Sequence, residues 1–348
     1  MLFAQSCRAW YSTRLCRMHA SSWQPSATMQ ESSAPQCWAA DMLYYATVPA
    51  GLESLVRDCI PKGSRLIRSS GGAALIDCPA RPKVWPDLFT NVHLVLCQAR
   101  TNEFGPILRV AEATASTAFF AYTHPRQSFR IRFMKDGHAA SVPPADLARA
   151  EALVKRTGHF RPDRVKAELE FCYILRQDGN AFYTMQLSRE RTRAAKGMLR
   201  PEIAYALPLF AGVKTGETVM DPFSASGAVA QALKAFSAKA VLSDPEGENG
   251  ALKCPANALS HVKLRTIDHV VTVLPWLLPK GESMDAFYAA VFSEFRRTLK
   301  PEGNVVILSG APAEAEKAAC SVGFAADRSL SISFEGKKLS IMRFKLQS

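Results

Sequence analysis

The sequence predicts an α/β chain in which the C-terminal half forms a doubly wound, mostly parallel sheet and the N-terminal half forms smaller α+β units. Three observations carry this. From Pro201 onward, helix-like and strand-like patterns alternate, as a parallel sheet with crossover helices requires. From Met42 to Leu187, short strands of period two are separated by turn signals and single amphipathic helices. With 348 residues and 48% hydrophobic content, the chain is long enough for two or three cores.

Ordered sequence begins at Met42. LYYATVP reads as a strand, and GLESLVRDCI follows as a helix with Leu52, Leu55 and Val56 on one face. SRLIRSS and AALID flank a Gly-Gly pair and read as a hairpin, and helical patterning returns from Phe104 to Ala115. In 128–133, Phe129, Ile131 and Phe133 alternate with Arg130 and Arg132, which predicts a half-buried strand with a basic outer face. A helix over 145–157 is opened by two prolines, closed by Gly158, and carries Lys155 and Arg156 in its last turn. Two alternating strands then flank a QDGN turn of the hairpin type. The segment SRERTRAAKGMLR, with Arg189, Arg191 and Arg193, reads as a basic linker.

Beyond it, a helix starts at Pro201, with Pro208 expected to kink or shorten it. Strands are predicted at 218–220, 240–242, 268–273 and 304–308, helices at 228–236, 284–299 and 312–322, and a closing antiparallel hairpin in LSISFEG and LSIMRFKLQ.

The formal net charge of +12 favours a polyanionic partner. The stretch from Arg126 to Arg200 holds 16 Lys/Arg against 8 Asp/Glu, so about a fifth of the chain supplies +8 of that charge. Arg130, Arg132, Lys155, Arg156, Arg189, Arg191 and Arg193 are therefore candidate contacts to the phosphates of a nucleic acid. Nine scattered cysteines show no metal-ligand spacing, and no metal site is expected. No apolar run approaches the roughly 20 residues needed to span a bilayer, so no membrane partner is expected. The first thirty residues contain Arg8, Arg14 and Arg17, several serines and no acid. Residues 1–40 read either as a mitochondrial transit peptide or as a disordered or wrongly extended N-terminus of a cytoplasmic protein, with translation starting at Met29 or Met42.

The strongest local signal is VMDPFSASGAV, residues 219–229: a strand ending in Asp221, a tight Ser/Gly turn, then a helix. Such a turn presents backbone N–H groups and a carboxylate at the carboxyl end of a parallel strand, where doubly wound sheets bind ligands. The single glycine disfavours a dinucleotide fingerprint.

Here the sequence resembles the THUMP-domain RNA methyltransferases, which modify the exocyclic amino group of guanine, mostly in tRNA. LRPEIAYALPLFAGVKTGETVMDPFSASG (199–227) is similar to that family's helix, loop and first strand, and YYATVPAGLES (44–54) to the start of its ferredoxin-like domain. The resemblance implies a ferredoxin-like domain at 41–100, a THUMP-type RNA-binding domain at 101–195, and a Rossmann-like seven-stranded methyltransferase domain at 196–348. It implies S-adenosylmethionine as cofactor and RNA, in the first place tRNA, as partner. Asp221, Pro222 and the backbone of Phe223, Ser224, Ser226 and Gly227 would cradle the methionine part, Asp244 would take the ribose hydroxyls, and Asn257 stands at the family's adenine-contacting aspartate.

Departures from the pattern matter as much. Ala225 replaces a usual glycine, and the helix and third strand after Asp244 look truncated. In VTVLPW (271–276) the family has Asn or Asp at the first catalytic position, where this chain has Val273. Losing one such preorganised acceptor lowers turnover by about 10²–10³-fold. The Leu274 carbonyl next to Pro275 remains as an acceptor, and Trp276 as a stacking platform for a flipped base. Two readings follow: a guanine methyltransferase acting on structured RNA, or an RNA-binding scaffold with a degenerate catalytic domain.

Overall fold

The computed structural model describes residues 42–188, 198–224, 226–247, 251–275, 283–334 and 336–347. The predicted transit segment, Arg189, Arg191, Arg193 and Trp276 lie outside these residues.

In the N-terminal half, β1 (Met42–Thr47) leads through a 3₁₀ turn into the short α1 (Val56–Cys59), then the hairpin of β2 (Arg65–Ser70) and β3 (Ala73–Cys78). Gly71 and Gly72 both take positive φ at its turn, a conformation open to residues without Cβ. The chain continues through β4 (Asn91–Arg100), α2 (Phe104–Thr114), β5 (Ser128–Lys135), β6 (His138–Ala139), α3 (Pro144–Gly158), β7 (Arg161–Pro162), β8 (Leu169–Leu175) and β9 (Asn180–Gln186). These strands form one sheet in the order β2-β3-β1-β4-β9-β8-β5-β6, with β7 on β5. Strand β4, which ends at the expected 100/101 boundary, pairs with β1 on one side and β9 on the other. One sheet therefore carries both units read from the sequence.

The period-two patterns decide which face is buried. Phe129, Phe133, Phe171, Tyr173 and Tyr183 sink into the core with Ile107 and Leu108 of α2 and Leu153 and Val154 of α3. Their rings pack in series, Phe133 on Tyr173 and Tyr173 on Tyr183, with centroids 5.1 and 4.6 Å apart.

The C-terminal half opens with α4 (Pro201–Ala211). Pro208 does not cut it short. It sits in the last turn, where one lost N–H is tolerated because Ile203, Leu207 and Phe210 are buried around it, and the helix runs on to close at Gly212, with φ +77°. There follow β10 (Thr218–Asp221), α5 (Ala228–Leu233), β11 (Lys239–Asp244), β12 (Leu252–Lys253), β13 (Ile267–Val273), α6 (Met284–Thr298), β14 (Leu299–Ser309), α7 (Pro312–Ser321), β15 (Phe324–Phe334) and β16 (Lys337–Leu346). Their order is β12-β11-β10-β13-β14-β16-β15, with β12 to β14 parallel and β16 antiparallel to both β14 and β15.

Alternate strand residues feed two cores. Val219, Val271, Val306 and Leu308 join α4 and α5, continuous with the N-terminal core, while Met220, Val270, Val305 and Ile307 meet Tyr288, Val291, Phe292 and Phe295 of α6 and the alanines of α7. The sheet is thus covered on both faces, as a parallel sheet must be.

Candidate active site

Strand order reverses between β10 and β13, the place where open α/β sheets leave a crevice beyond their carboxyl ends. Asp221 ends β10 on one side of it and Val273 ends β13 on the other. The Asp221 carboxylate is 2% exposed, and its Oδ1 accepts from Thr272 Oγ at 2.6 Å and from the Phe223 N–H at 3.2 Å. Burial pushes its pKa up to about 6; the two hydrogen bonds oppose the rise and the nearby Asp244 adds to it.

The following turn is folded back on β11. Ser224 donates to the Ser243 carbonyl through both its N–H (3.2 Å) and its hydroxyl (3.1 Å), and the Gly227 N–H closes on the Ser224 carbonyl at 2.7 Å. Gly227 then starts α5 at φ +66°, a conformation that a Cβ would strain. Pro222 is buried, Phe223 half-buried, and Ser226 exposed at the lip.

Asp244, 5% exposed, ends β11 beside Asp221, and its Oδ1 accepts from the Glu246 N–H at 2.9 Å. Its carbonyl holds the Gly247 and Cys254 N–H groups, which folds the next segment tightly back. Among the described residues, the two-residue β12 alone stands for a third strand, because the residues between Asp244 and Leu252 are fewer than the dozen or so a helical crossover needs. Asn257 stands exposed in the turn beyond it. The stretch that follows is tied to α6 instead of forming a helix: Glu294 accepts from the Leu259 N–H at 2.8 Å, and Arg297 donates to the Leu259 and Val262 carbonyls.

At the far side, Val273 is half-buried, Leu274 fully buried, and the Pro275 carbonyl accepts from Tyr288 Oη at 2.6 Å. Thr272 and Tyr288 were not singled out in the sequence. Their roles come from contacts across strands and from a helix, and no local pattern marks them. The described site thus brings together Asp221, Asp244, residues 222–224 and 226–227 of the turn, and the 273–275 corner. It can accept hydrogen bonds at two carboxylates, while the Val273 side chain offers no acceptor.

The candidate RNA contacts separate. Arg130 and Arg132 both pair with Glu170 on the neighbouring strand, whereas Lys155 and Arg156 project into solvent from the last turn of α3, where they also complement the helix dipole. Among the described residues no group of His, Cys, Asp and Glu is arranged to hold a metal, and no helix is long and apolar enough to cross a membrane.

A covered sheet of this order, closed by an antiparallel hairpin and carrying carboxylates at the ends of its first two strands, has the α/β methyltransferase fold. The comparisons agree. Residues 189–235 match the UPF0020 family, RMKL-like, methyltransferase domain. TrmN from Thermus thermophilus superposes with a TM-score of 0.65 at 21% identity, over 88% of this chain and 100% of that one. SMU.472, solved in complex with SAH, gives 0.60 at 12% identity over 89% and 100%. A "predicted N6-adenine-specific DNA methylase" from Listeria monocytogenes gives 0.57 at 13% identity over 86% and 96%. No curated protein matches the sequence.

Proposed function

We propose that this chain is an S-adenosylmethionine-dependent RNA methyltransferase that methylates the exocyclic amino group of a guanosine in tRNA or another structured RNA. The observation that carries the reading is the pair of buried carboxylates, Asp221 and Asp244, at the carboxyl ends of adjacent parallel strands in a sheet of methyltransferase order. The pair fits the cofactor: Asp244 can accept from ribose hydroxyls, and Asp221 with the 222–227 turn can line the amino-acid part. When bound, S-adenosylmethionine supplies an electrophilic methyl group. This chain's part is to hold the acceptor amine in line and to accept a hydrogen bond as positive charge develops on it, which at the 273–275 corner falls to the Leu274 carbonyl. In this reading the N-terminal half, as ferredoxin-like and THUMP-type units, selects the RNA. The match to TrmN, whose fold spans both halves, supports it.

The experiment is transfer of tritiated methyl from S-adenosylmethionine to tRNA, with nucleoside analysis of the product. N²-methylguanosine is the expected label; methylated adenosine, or label entering DNA alone, contradicts the substrate assignment.

Val273 favours a second reading, an RNA-binding scaffold with a degenerate catalytic domain. The exposure of Asn257 points the same way. Val273→Asn separates the two: an enzyme gains methyl transfer by up to about 10²–10³-fold, and a dismantled site stays at background.

A further inference from the structure

The far end of α6 is fixed at the amino ends of the strands, because the Arg297 and Thr298 carbonyls accept from the Arg265 and Thr266 N–H groups just before β13. Its 15 residues rise about 22 Å, close to the length of the seven-residue β13, so the first turn of α6 reaches the carboxyl ends. Phe287, Val291 and Glu294 form one stripe along the helix, at i, i+4 and i+7. Glu294 accepts from the Leu259 N–H, and Val291 shares a buried cluster with Ala256, Leu259 and Val262. Phe287 therefore faces the segment that follows β12, while Tyr288 beside it holds the Pro275 carbonyl.

That placement sets Phe287 beside the ground beyond Asp244. Phe287 and Phe223 are both half-buried, and their ring centroids lie 6.3 Å apart at an interplanar angle of 52°. Phe223 follows Asp221 by two residues, and the Cys254 N–H donates to the Asp244 carbonyl at 3.0 Å. A base carried by a ribose at Asp244 thus has the two rings on one side and the turn from Cys254 to Asn257 on the other.

The turn has little with which to read the edge of that base. The N–H groups of Cys254, Ala258, Leu259, Ser260 and Val262 are all spent on bonds within the protein. Asn257 is exposed, and a hydrogen bond made there only replaces one to water. An aromatic face makes no such demand, since every base has a π-face to lay against it.

We infer that the adenine of S-adenosylmethionine is held by its face on Phe287, with Phe223 behind it, and that its 6-amino edge goes unread, so the cofactor site tolerates a purine with a different edge. The inference rests on the reading of Asp221 and Asp244 as the cofactor site. It adds the side chain that holds the base, and how little of the base the site inspects.

The test is calorimetric titration of the full chain with S-adenosylhomocysteine and with S-inosylhomocysteine, which carries an oxygen where adenine has its 6-amino group. The two should bind within about threefold of each other, whereas a site built to hydrogen-bond an edge rejects the wrong one by orders of magnitude. A preference of about tenfold or more for the adenine compound overturns the inference. Phe287→Leu keeps an apolar side chain against the core and removes the ring; it should weaken both ligands alike by about 5–150-fold, the loss of one base stack. Phe287→Tyr keeps the ring and should bind both within about threefold of the parent. Affinity untouched by Phe287→Leu, or lowered as far by Phe287→Tyr as by Phe287→Leu, also overturns it. If Asp244→Ala weakens binding and Phe287→Leu does not, the cofactor site stands and the inference alone fails. If the folded, unsubstituted chain binds neither compound, the cofactor-site reading fails and the inference falls with it.

Discussion

Asp221→Asn is expected to make the protein more stable at neutral pH and unable to function. The carboxylate is 2% exposed, and burial raises its pKa from 3.8, the ordinary value, to about 6. A folded state that binds the proton more tightly than the unfolded chain is favoured at low pH. Stability from this group is fully present below about pH 4 and is lost as pH rises through about 6. At 1.36 kcal/mol per tenfold change in proton affinity, holding the charge costs about 3 kcal/mol above that window. Asparagine carries no charge and keeps an oxygen at the Oδ1 position, so the bonds from Thr272 Oγ and the Phe223 N–H survive. Urea unfolding midpoints of the two proteins should coincide near pH 4, and the variant should lead by about 3 kcal/mol near pH 8. Cofactor binding should be lost at the same time, the stability gained at the expense of a strained functional group. A variant less stable at pH 8, or a difference that does not change between pH 4 and 8, refutes the argument that Asp221 is held charged against burial.

Three further outcomes follow from the same geometry. Thr272→Val deletes the 2.6 Å bond to the Asp221 carboxylate and should cost about 1–3 kcal/mol in urea unfolding near pH 8, and much less near pH 4 where Asp221 is protonated. Tyr288→Phe removes the donor that fixes the Pro275 carbonyl; methyl transfer should fall while S-adenosylmethionine affinity, read by calorimetry, stays within about threefold, because misplacing a corner by about 1 Å costs turnover rather than remote binding. Gly51→Ala should destabilise the chain by at least about 3 kcal/mol, since φ is +97° and the new Cβ would lie 2.1 Å from the Ser331 carbonyl oxygen on β15; a midpoint unchanged from the parent contradicts the close packing of that turn on the C-terminal hairpin.

Much of the architecture could be read from local pattern. The Gly-Gly and Asp-Gly turns sit between β2 and β3 and between β8 and β9, and Phe129 and Phe133 face the core as their alternation demands. What local pattern cannot show is pairing between distant segments. Parallel pairing of β5 with β8 sets Glu170 opposite Arg130, so two arginines that read as a free basic face share one carboxylate. Thr272 was one buried residue in an apolar run until β10 placed Asp221 beside it. The two-residue β12 is too short for any periodicity to register. Pro208 was expected to kink or shorten its helix; the helix runs three residues past it to Ala211, because the burial of Leu207, Phe210 and Ala211 around it offsets the lost N–H.

The central claim is that Asp221 and Asp244 form a site for S-adenosylmethionine. Calorimetric titration of the full chain with S-adenosylmethionine tests it most directly, with Asp244→Ala as the comparison. The account predicts one-to-one binding that weakens by about 10–100-fold in the variant, the equivalent of losing hydrogen bonds to a charged group worth about 1.5–3 kcal/mol. Binding unchanged by the substitution, or no binding by the folded unsubstituted protein, would contradict it.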